Sequence, residues 1–495
     1  MKLLRMLEKS QLFFLFVLGT IFFFLRFPSL FEPYWYGDEG IYFVIGDALR
    51  DGRILYNGIW DNKPPFLYFL YQFFGQDIFN IKLLSLLFGL GGTVCFYFLS
   101  KKFLTSKGVI LATGLFIFLF GTPALEGTIA NAENFMLFPI LLAFVCFFRV
   151  FSFQGTKIAN VLSYIDKRYL FISGILFGIS FLFKIVGGFD LFALFFFIFL
   201  ISYNEKRIFN NTLRTYSLYI LPGFITPLFL YSIFASLQGN FVSFIKATFL
   251  DNVSYVGLEN SFVIPHGILI FKTVLLALCL YGIFYNRNKI PVKFLFILTW
   301  LTVSLFNVFF SQRPYGHYLL LLLPSFVLFV VSSISYPKFK KRIYFATFFL
   351  IVFLGFTFRL FLIPKTIPYY GNFLSFAVGA KSPEAYFSFF DRKTPRDYAI
   401  ATFIKSHAKT REDVYIWGDS AQTYFLADSL PPGRYSVSYH IAFSETARVE
   451  TDKLLERKQP KYIIIMPDTL SFPFSLSLYE EKMRIDGVII YERIY

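Results

Sequence analysis

The sequence has little charge and little cysteine. Only 16% of its 495 residues are charged, against about 25% in an average soluble domain, whereas 56% are hydrophobic. An ordinary soluble protein is therefore excluded, and we predict an integral membrane protein. The three cysteines, Cys95, Cys146 and Cys279, all lie in apolar segments. Their spacing excludes a zinc cluster, and no disulfide is expected in the hydrophilic parts.

Other signals are missing as well. No small-residue cleavage site follows the first apolar segment, so we expect it to be retained as a helix. No glycine-rich phosphate loop follows the early strands predicted near the C-terminus, so no nucleotide site is expected there. The sequence also shows no internal repeat and no low-complexity linker.

Positive charge is abundant but unevenly placed. The net charge of +16 would suit nucleic-acid binding, yet the Lys and Arg residues cluster in short loops between apolar segments. That distribution is typical of membrane topology and not of a groove that follows a phosphate backbone. We therefore expect membrane lipids, and not nucleic acid, as partners.

Eleven apolar segments are candidates for crossing the hydrocarbon core, which takes about 20 residues. They lie near residues 11–30, 79–99, 108–121, 134–151, 169–185, 188–203, 215–236, 266–285, 294–311, 316–335 and 343–363. Only the sequence KIVGG separates the fifth segment from the sixth. This short interruption predicts a broken hairpin.

The loops between these segments differ strongly in charge. Those on one side carry 20 Lys and Arg residues, at 1–10, 100–107, 149–168, 204–214, 286–293 and 336–342. The short loops on the other side carry only Lys184, Lys246 and Arg313. By the positive-inside rule, the N-terminus is predicted to be cytoplasmic. A first outer loop, about 31–78, and everything after about residue 364 are then outside the cell membrane.

The C-terminal part has a different pattern. PRDYAIATFIKSHAK and ETARVETDKLLERKQ have helical spacing, whereas DVYIWG, KYIIIM and GVIIYERIY are typical of strands. Their alternation predicts a small, mainly parallel sheet. We therefore predict a transmembrane domain at 1–366 and an extracytoplasmic α/β domain at 367–495.

The first outer loop contains two unusual groups of polar residues. Asp38 and Glu39 follow the aromatic run YWY, and aromatic residues favour the membrane–water interface, so the acids are expected near headgroup depth. Farther on, DNKPP places Asp61 and Lys63 before two prolines, which restrict the backbone and delay the start of a helix. A solvated loop start with two ordinary acids remains the simpler alternative.

Further polar residues lie at other predicted outer ends. Glu126 and Glu133 are the only charges between the third and fourth segments, Lys184 precedes the KIVGG break, and Arg313 and His317 flank the turn into the tenth segment. Glu133 would also suit the dipole of a helix N-terminus. Lys63, Lys184, Arg313 and His317 are predicted to form an electropositive lining with carboxylates nearby. Such a lining suits a lipid-anchored phosphate and a reaction that needs a base.

These motifs resemble those of a known family. An acidic pair after the first helix, followed by Tyr42, Gly52, Tyr56 and DNKPP, resembles the first outer loop of membrane glycosyltransferases with the GT-C fold. The resemblance is to the protein mannosyltransferase-like family 39 and its bacterial relatives, which include the aminoarabinose transferase of lipid A. RPYGHYLLLLLP resembles a later motif of that family, and the resemblance extends over nearly the whole chain.

The resemblance implies a function. The family transfers a sugar from a polyprenyl-phosphate donor to a glycan, lipid or protein acceptor on the non-cytoplasmic face of the cell membrane. It implies that Asp38 is a catalytic carboxylate with Glu39 beside it, and that Lys63 meets the donor phosphate. Glu133 stands where many members have Asp.

Other roles follow less directly. Tyr42, Tyr56 and Asp61 are candidate substrate-binding residues, and Lys184, Arg313 and His317 are candidate further ligands of the phosphate. Some GT-C enzymes use a divalent metal at such acids and others do not, so a metal stays an open alternative.

Two other classes of protein fit the sequence less well. A multi-pass transporter or flippase of lipid-linked sugars would carry charges along a path, whereas here they collect at one face. A transporter built from repeats should also show matching broken segments, and only KIVGG is interrupted in this way. A sensing protein would leave the acidic pair and KPP unexplained.

Overall fold

A computed structural model describes residues 11–151, 166–203, 206–253, 267–311, 313, 315–359 and 362–494. The predicted loop 1–10 and parts of the predicted loops 149–168 and 204–214 lie outside the described residues.

Twenty α-helices occur within the described residues: α1 (Gln11–Arg26), α2 (Gly37–Arg50), α3 (Phe66–Phe74), α4 (Ile78–Phe103), α5 (Ser106–Gly121), α6 (Ala132–Val150), α7 (Lys167–Phe183), α8 (Gly188–Ser202), α9 (Lys206–Leu237), α10 (Phe241–Ile245), α11 (Gly267–Asn286), α12 (Val292–Val308), α13 (Leu319–Ser335), α14 (Lys340–Thr357), α15 (Leu362–Ala377), α16 (Pro383–Phe387), α17 (Thr394–His407), α18 (Gln422–Leu426), α19 (Tyr439–Ala442) and α20 (Glu445–Lys458).

Each of the eleven predicted crossing segments coincides with one of these helices. In the described part of the chain, seven helices are long and apolar enough to cross a membrane: Phe13–Phe31, Ile78–Phe103, Ala132–Val150, Ile185–Ser202, Leu213–Leu237, Ile268–Lys289 and Gly316–Ser335. The helices α5 and α12 are also apolar but shorter. The chain is therefore a polytopic helical membrane protein, as its composition indicated.

The predicted interruption at KIVGG is present. Helix α7 ends at Phe183, Lys184 is extended, a single 3-10 turn covers Ile185–Gly187, and α8 begins at Gly188. A Cβ atom at Gly187 would lie only 2.9 Å from the Ser180 hydroxyl oxygen. The chain can therefore reverse this closely only because the residue has no side chain.

The chain divides into two compact units. A helical unit comprises the chain up to Phe27, Leu84–Phe234 and Leu250–Pro368, and contains most of the apolar helices. A mixed unit comprises Pro28–Leu83, Ala235–Phe249 and the chain from Tyr369 onward. The mixed unit thus joins the first outer loop, which contains α2 and α3, to the C-terminal part.

The C-terminal part contains a four-stranded sheet within the described residues. Its strands are β1 (Val414–Trp417), β2 (Tyr462–Ile465), β3 (Tyr479–Ile485) and β4 (Val488–Arg493), in the spatial order β1-β2-β4-β3. Buried aromatic and aliphatic side chains, including Trp417 and Ile463, form its core.

The sheet is mixed, and the prediction of a mainly parallel sheet is wrong. Strands β1 and β2 are parallel, but β4 is antiparallel to both β2 and β3. The cause is a tight turn at Asp486 and Gly487, whose φ angles of 47° and 81° are both positive. Such a turn, typically Asp-Gly, joins two antiparallel strands in a hairpin. Strand β3 was not predicted, because most of its side chains are exposed.

Helix α2 is held by the C-terminal part of its own unit. A Cβ atom at Gly40 would lie 2.7 Å from the backbone nitrogen of Gln422, so α2 and α18 are in close contact. The guanidinium of Arg53, which follows α2, lies 2.6 Å from a carboxylate oxygen of Glu412 and donates to the carbonyl oxygen of Gly433 at 3.0 Å. These contacts fix α2, the helix that carries Asp38 and Glu39, on the sheet-containing part of the mixed unit.

Candidate active site

The two acids of the pair point to different environments. Both lie in the first turn of α2, where successive side chains are about 100° apart around the helix axis. The Asp38 side chain is 37% exposed, whereas that of Glu39 is 2% exposed. One acid is therefore accessible to a ligand and its neighbour is not.

Asp38 lies in a group with Lys63 and Tyr42. The Lys63 ammonium nitrogen is 3.7 Å from a carboxylate oxygen of Asp38, and the Tyr42 hydroxyl donates to the same oxygen at 3.1 Å. The ammonium also lies 5.0 Å from the centroid of the Tyr42 ring. The structure thus brings together three residues that were proposed from the sequence.

Asp61 holds the other side of Lys63. Its carboxylate lies 3.5 Å from the Lys63 ammonium and accepts hydrogen bonds from the Tyr68 hydroxyl and the Asn62 backbone N–H, each at 2.8 Å. Burial raises the pKa of Asp61, but the neighbouring positive charge and these donors outweigh burial and lower it overall. Asp61 is therefore a buried, charged anchor that orients Lys63.

Tyr56 shapes the turn before Lys63. Its φ of 65° is in the left-handed region, which is uncommon for residues other than glycine. The buried Tyr56 hydroxyl donates to the backbone oxygen of Lys63 at 2.8 Å. The ring also packs near Phe244, 5.9 Å between centroids, in the segment that follows α9. Tyr56 thus supports the turn from inside.

Glu39 belongs to a buried ionic group. The Lys82 ammonium lies 2.8 Å from a carboxylate oxygen of Glu39 and 3.1 Å from one of Glu32, and all three side chains are almost completely buried. Trp35 and Tyr369 donate further hydrogen bonds to Glu32, at 3.1 and 2.7 Å. Glu39 therefore fixes the start of α2 and does not face a ligand.

A histidine that was not among the predicted site residues completes the group around Asp61. The His440 Nε2 atom, on α19, lies 3.6 Å from a carboxylate oxygen of Asp61, and its side chain is 8% exposed. Burial lowers the pKa of His440 to about 4, against an opposing effect of Asp61, so the imidazole is neutral at pH 7. The chain has only four histidines, so each of them was a weak candidate for a site residue. The sequence spacing between His440 and Asp61 gave no indication that the two lie close together.

The remaining candidates lie in the helical unit, and all of them except Arg313 belong to two acid–base pairs. Lys184 forms an ion pair with Glu133, which lies in the first turn of α6, and its ammonium is 4.4 Å from the centroid of the Tyr318 ring. The His317 Nδ1 atom lies 2.8 Å from a carboxylate oxygen of Glu126.

Arg313 lies in the same connection as His317 and is partly buried. Its backbone oxygen accepts a hydrogen bond from the Tyr315 N–H at 3.0 Å. This places Arg313 just before the turn that leads into α13, as expected from the sequence.

Four of the candidate acids have lysine partners. Among the described residues, no group of three or more His, Cys, Asp or Glu side chains is arranged to hold a metal ion. Asp38 and Asp61 share Lys63, Glu39 pairs with Lys82, and Glu133 pairs with Lys184. Each of these carboxylates is thus a partner of an ammonium group.

Comparisons with known proteins agree on the fold. The sequence matches no protein-family model and no curated protein. The crystal structure of ArnT from Cupriavidus metallidurans bound to undecaprenyl phosphate superposes with a TM-score of 0.57 at 12% identity, over 97% of this chain and 98% of that one. AglB from Archaeoglobus fulgidus, in complex with an inhibitory peptide and a dolichol-phosphate, gives 0.49 at 13% identity, over 93% and 70%. The superposition on ArnT shows that the chain has the GT-C fold of a polytopic membrane protein, as its first-loop motifs indicated.

Proposed function

We propose that this protein is an integral membrane glycosyltransferase. It moves a sugar from a polyprenyl-phosphate donor to a lipid, glycan or protein acceptor. The observation that carries the proposal is Lys63, a partly exposed cation held between Asp38 and Asp61. A phosphate-binding cation next to an accessible carboxylate is what such a transfer needs. The fold shared with ArnT, which was crystallised with undecaprenyl phosphate, supports the same class of donor.

The geometry suggests an order of events. Before the donor binds, Lys63 pairs with Asp38. The donor phosphate then replaces Asp38 as the partner of the Lys63 ammonium. The Asp38 carboxylate can then accept a proton from the acceptor hydroxyl or amine. The acceptor atom forms a bond to the anomeric carbon while the bond from that carbon to the phosphate oxygen breaks. The lipid phosphate leaves with the electron pair, and Lys63 stabilises its negative charge.

Other residues of the mixed unit orient these two groups. Tyr42 donates to Asp38 and so restricts the direction of its carboxylate. Asp61 holds the Lys63 ammonium in place. Tyr42, Tyr56 and Asp61 therefore act in this proposal by shaping the site.

The helical unit supplies candidates for further contacts. Lys184, Arg313 and His317 are proposed as additional ligands of the donor phosphate, and Glu133 as a second acid. Glu133 forms an ion pair with Lys184, and Glu126 orients the His317 imidazole. Each proposal is tested separately by substitution.

The site is proposed to face the outside of the cell (inner) membrane. The asymmetry of Lys and Arg between loops supports a cytoplasmic N-terminus, with a transmembrane domain at 1–366 and an extracytoplasmic domain at 367–495. A reporter active only in the cytoplasm, fused after Tyr495, should be silent. An active reporter would overturn the topology.

The test of function uses cells that lack the gene. Their surface glycans and glycolipids are compared by mass spectrometry with those of cells complemented by the wild type or by Asp38→Asn. We expect a sugar to be missing from one acceptor without the gene, restored by the wild type and not by Asp38→Asn. Restoration by Asp38→Asn at equal protein level would refute the catalytic role.

The same cells distinguish a flippase from a transferase. A flippase would move a labelled lipid-linked sugar across liposomes that contain the purified protein, without joining the label to an acceptor. Transfer of label to an acceptor in open membranes, where no translocation is needed, supports the enzyme.

A further inference from the structure

We propose that His440 is a positioning residue that acts through Asp61 on Lys63. The C-terminal part of the chain then completes the phosphate-binding group of the first outer loop. This inference deepens the proposed function and takes its role for Lys63 from it. The contacts that carry it all lie within the mixed unit.

The segment that carries His440 is fixed to the segment that carries Asp61. The Trp60 backbone N–H donates to the carbonyl oxygen of Arg434 at 2.8 Å. The Trp60 ring makes edge contacts with Tyr435 and with the His440 imidazole, at 5.6 and 4.9 Å between centroids. Asp61 follows Trp60 directly, so its backbone is positioned by the C-terminal part.

The side chains continue this connection. His440 Nε2 lies 3.6 Å from one carboxylate oxygen of Asp61, and the Lys63 ammonium lies 3.5 Å from the other. Asp61 thus stands between the imidazole and the lysine. A displacement of its carboxylate would change the position of the Lys63 ammonium, which also lies 3.7 Å from a carboxylate oxygen of Asp38.

Histidine suits this position because its ring is polar and carries no fixed charge. Asp61, Lys63, Asp38 and Asp419 are the charged groups that act on the imidazole. A permanent cation at this place would compete with Lys63 for Asp61. A neutral imidazole whose Nε2 atom lies 3.6 Å from the carboxylate limits the movement of Asp61 by contact and leaves its charge available to the lysine.

The simpler alternative is that the imidazole only packs. Its ring contacts Trp60 and Tyr439 edge-on, and a phenylalanine could reproduce that packing. His440→Phe therefore keeps the ring and removes the nitrogen, whereas His440→Gln keeps an N–H donor and removes the ring. His407→Phe, at the end of α17, is the matched control.

The first measurement uses the protein without ligand. The rate at which acetic anhydride acylates Lys63 is followed by mass spectrometry, with Lys405 as an exposed internal reference. We expect His440→Phe to change the Lys63 rate by about tenfold, the size of a coupling between contacting residues. His440→Gln should stay near the wild-type rate, and His407→Phe should have no effect.

A double-mutant cycle shows whether the effect passes through Asp61. Asp61→Asn alone should change the Lys63 rate, and adding His440→Phe to it should cause no further change. Additive effects would mean that His440 does not act through Asp61. If His440→Phe does not purify as a monodisperse protein, His440→Leu replaces it in the same cycle.

The second measurement is the affinity for undecaprenyl phosphate. His440→Phe should bind it about tenfold more weakly than the wild type, as expected for the loss of one coupled contact, and His440→Gln nearly as well. Unchanged acylation and unchanged affinity in His440→Phe would overturn the positioning role while leaving the proposed function intact. A coupled change in acylation without any binding by the wild type would support the positioning role and refute the proposed donor class.

Discussion

Two lysines of the mixed unit each lie between two carboxylates, and their surroundings differ. Lys63 lies between Asp38 and Asp61 at 3.7 and 3.5 Å, and its side chain is 19% exposed. Lys82 lies between Glu39 and Glu32 at 2.8 and 3.1 Å, and its side chain is 0% exposed. The adjacent acids Asp38 and Glu39 of α2 thus belong to two different groups, each made of one lysine and two carboxylates.

The difference indicates two roles. A buried lysine with short contacts cannot exchange its partners without a large cost in desolvation, so the Lys82 group anchors the start of α2. A partly exposed lysine with longer contacts can exchange a carboxylate for a phosphate. Exposure and distance therefore distinguish the exchangeable group from the structural one.

The largest expected effect is on catalysis. Asp38→Asn keeps the shape of the side chain and removes the base, and general base catalysis contributes about 10²–10⁴-fold. We expect transfer to fall by that factor while the melting temperature stays near that of the wild type. The measurement is turnover of purified protein once the donor is identified. Near-normal turnover would show that Asp38 is only a solvated acid at a helix start.

The second effect is on stability. Lys82→Met leaves Glu39 and Glu32 buried without their cation, and breaking a buried pair costs about 3–5 kcal/mol. We expect a large fall in the melting temperature in detergent. Lys101→Met, on the exposed end of the same helix, is the control and should change little. Equal melting temperatures for the two variants would refute the anchoring role.

The third effect is on binding. Lys63→Ala should weaken the affinity for undecaprenyl phosphate about 10- to 100-fold, because a charge-assisted hydrogen bond contributes about 1.5–3 kcal/mol. Arg313→Ala and Lys184→Ala test the helical unit in the same titration. Lys405→Ala, at an exposed site of the mixed unit, should bind normally. A residue whose variant binds like this control is not a contact of the phosphate.

The fourth effect is a pH dependence of stability. The pKa of His440 is lowered from its ordinary value of 6.5 to about 4. As the pH falls from about 6.5 to 4, the unfolded chain takes up a proton that the folded protein does not, so stability is lost. Asp61, whose pKa is lowered, loses its stabilising effect only below its ordinary pKa of about 4.

His440→Gln should therefore lose less stability than the wild type between pH 6.5 and 4. The difference is on the order of 2–3 kcal/mol, from about 1.4 kcal/mol for each pH unit. The measurement is the melting temperature of both proteins over that range. Parallel curves would show that His440 is not buried in its neutral form.

Much of this arrangement could be predicted from the sequence. Long apolar runs predicted the helices, KIVGG predicted the break, and DNKPP placed Lys63 in a defined turn. Asp38 and Lys63 were both selected as site residues, and the structure brings them together.

Three features could not be predicted from the sequence, and a fourth could have been but was not. The sequence shows Asp38 and Glu39 as two equal acids, and only the orientation of α2 on the rest of the fold separates them. Lys82 lies in a predicted crossing segment, and no partner was predicted for it. Its pairing with Glu39 depends on tertiary packing, which the sequence does not show. His440 meets Asp61 for the same reason. The Asp486-Gly487 turn, in contrast, carried a readable hairpin signal.

The most direct test of the comparison is protection of the two lysines from acylation. Acetic anhydride is applied with and without saturating undecaprenyl phosphate, and modification of Lys63 and Lys82 is measured by mass spectrometry in the same sample. The account predicts that Lys63 reacts without the lipid and is protected by it, whereas Lys82 reacts in neither state. Equal reaction of Lys63 with and without the lipid would contradict the claim that it exchanges its carboxylates for a lipid phosphate.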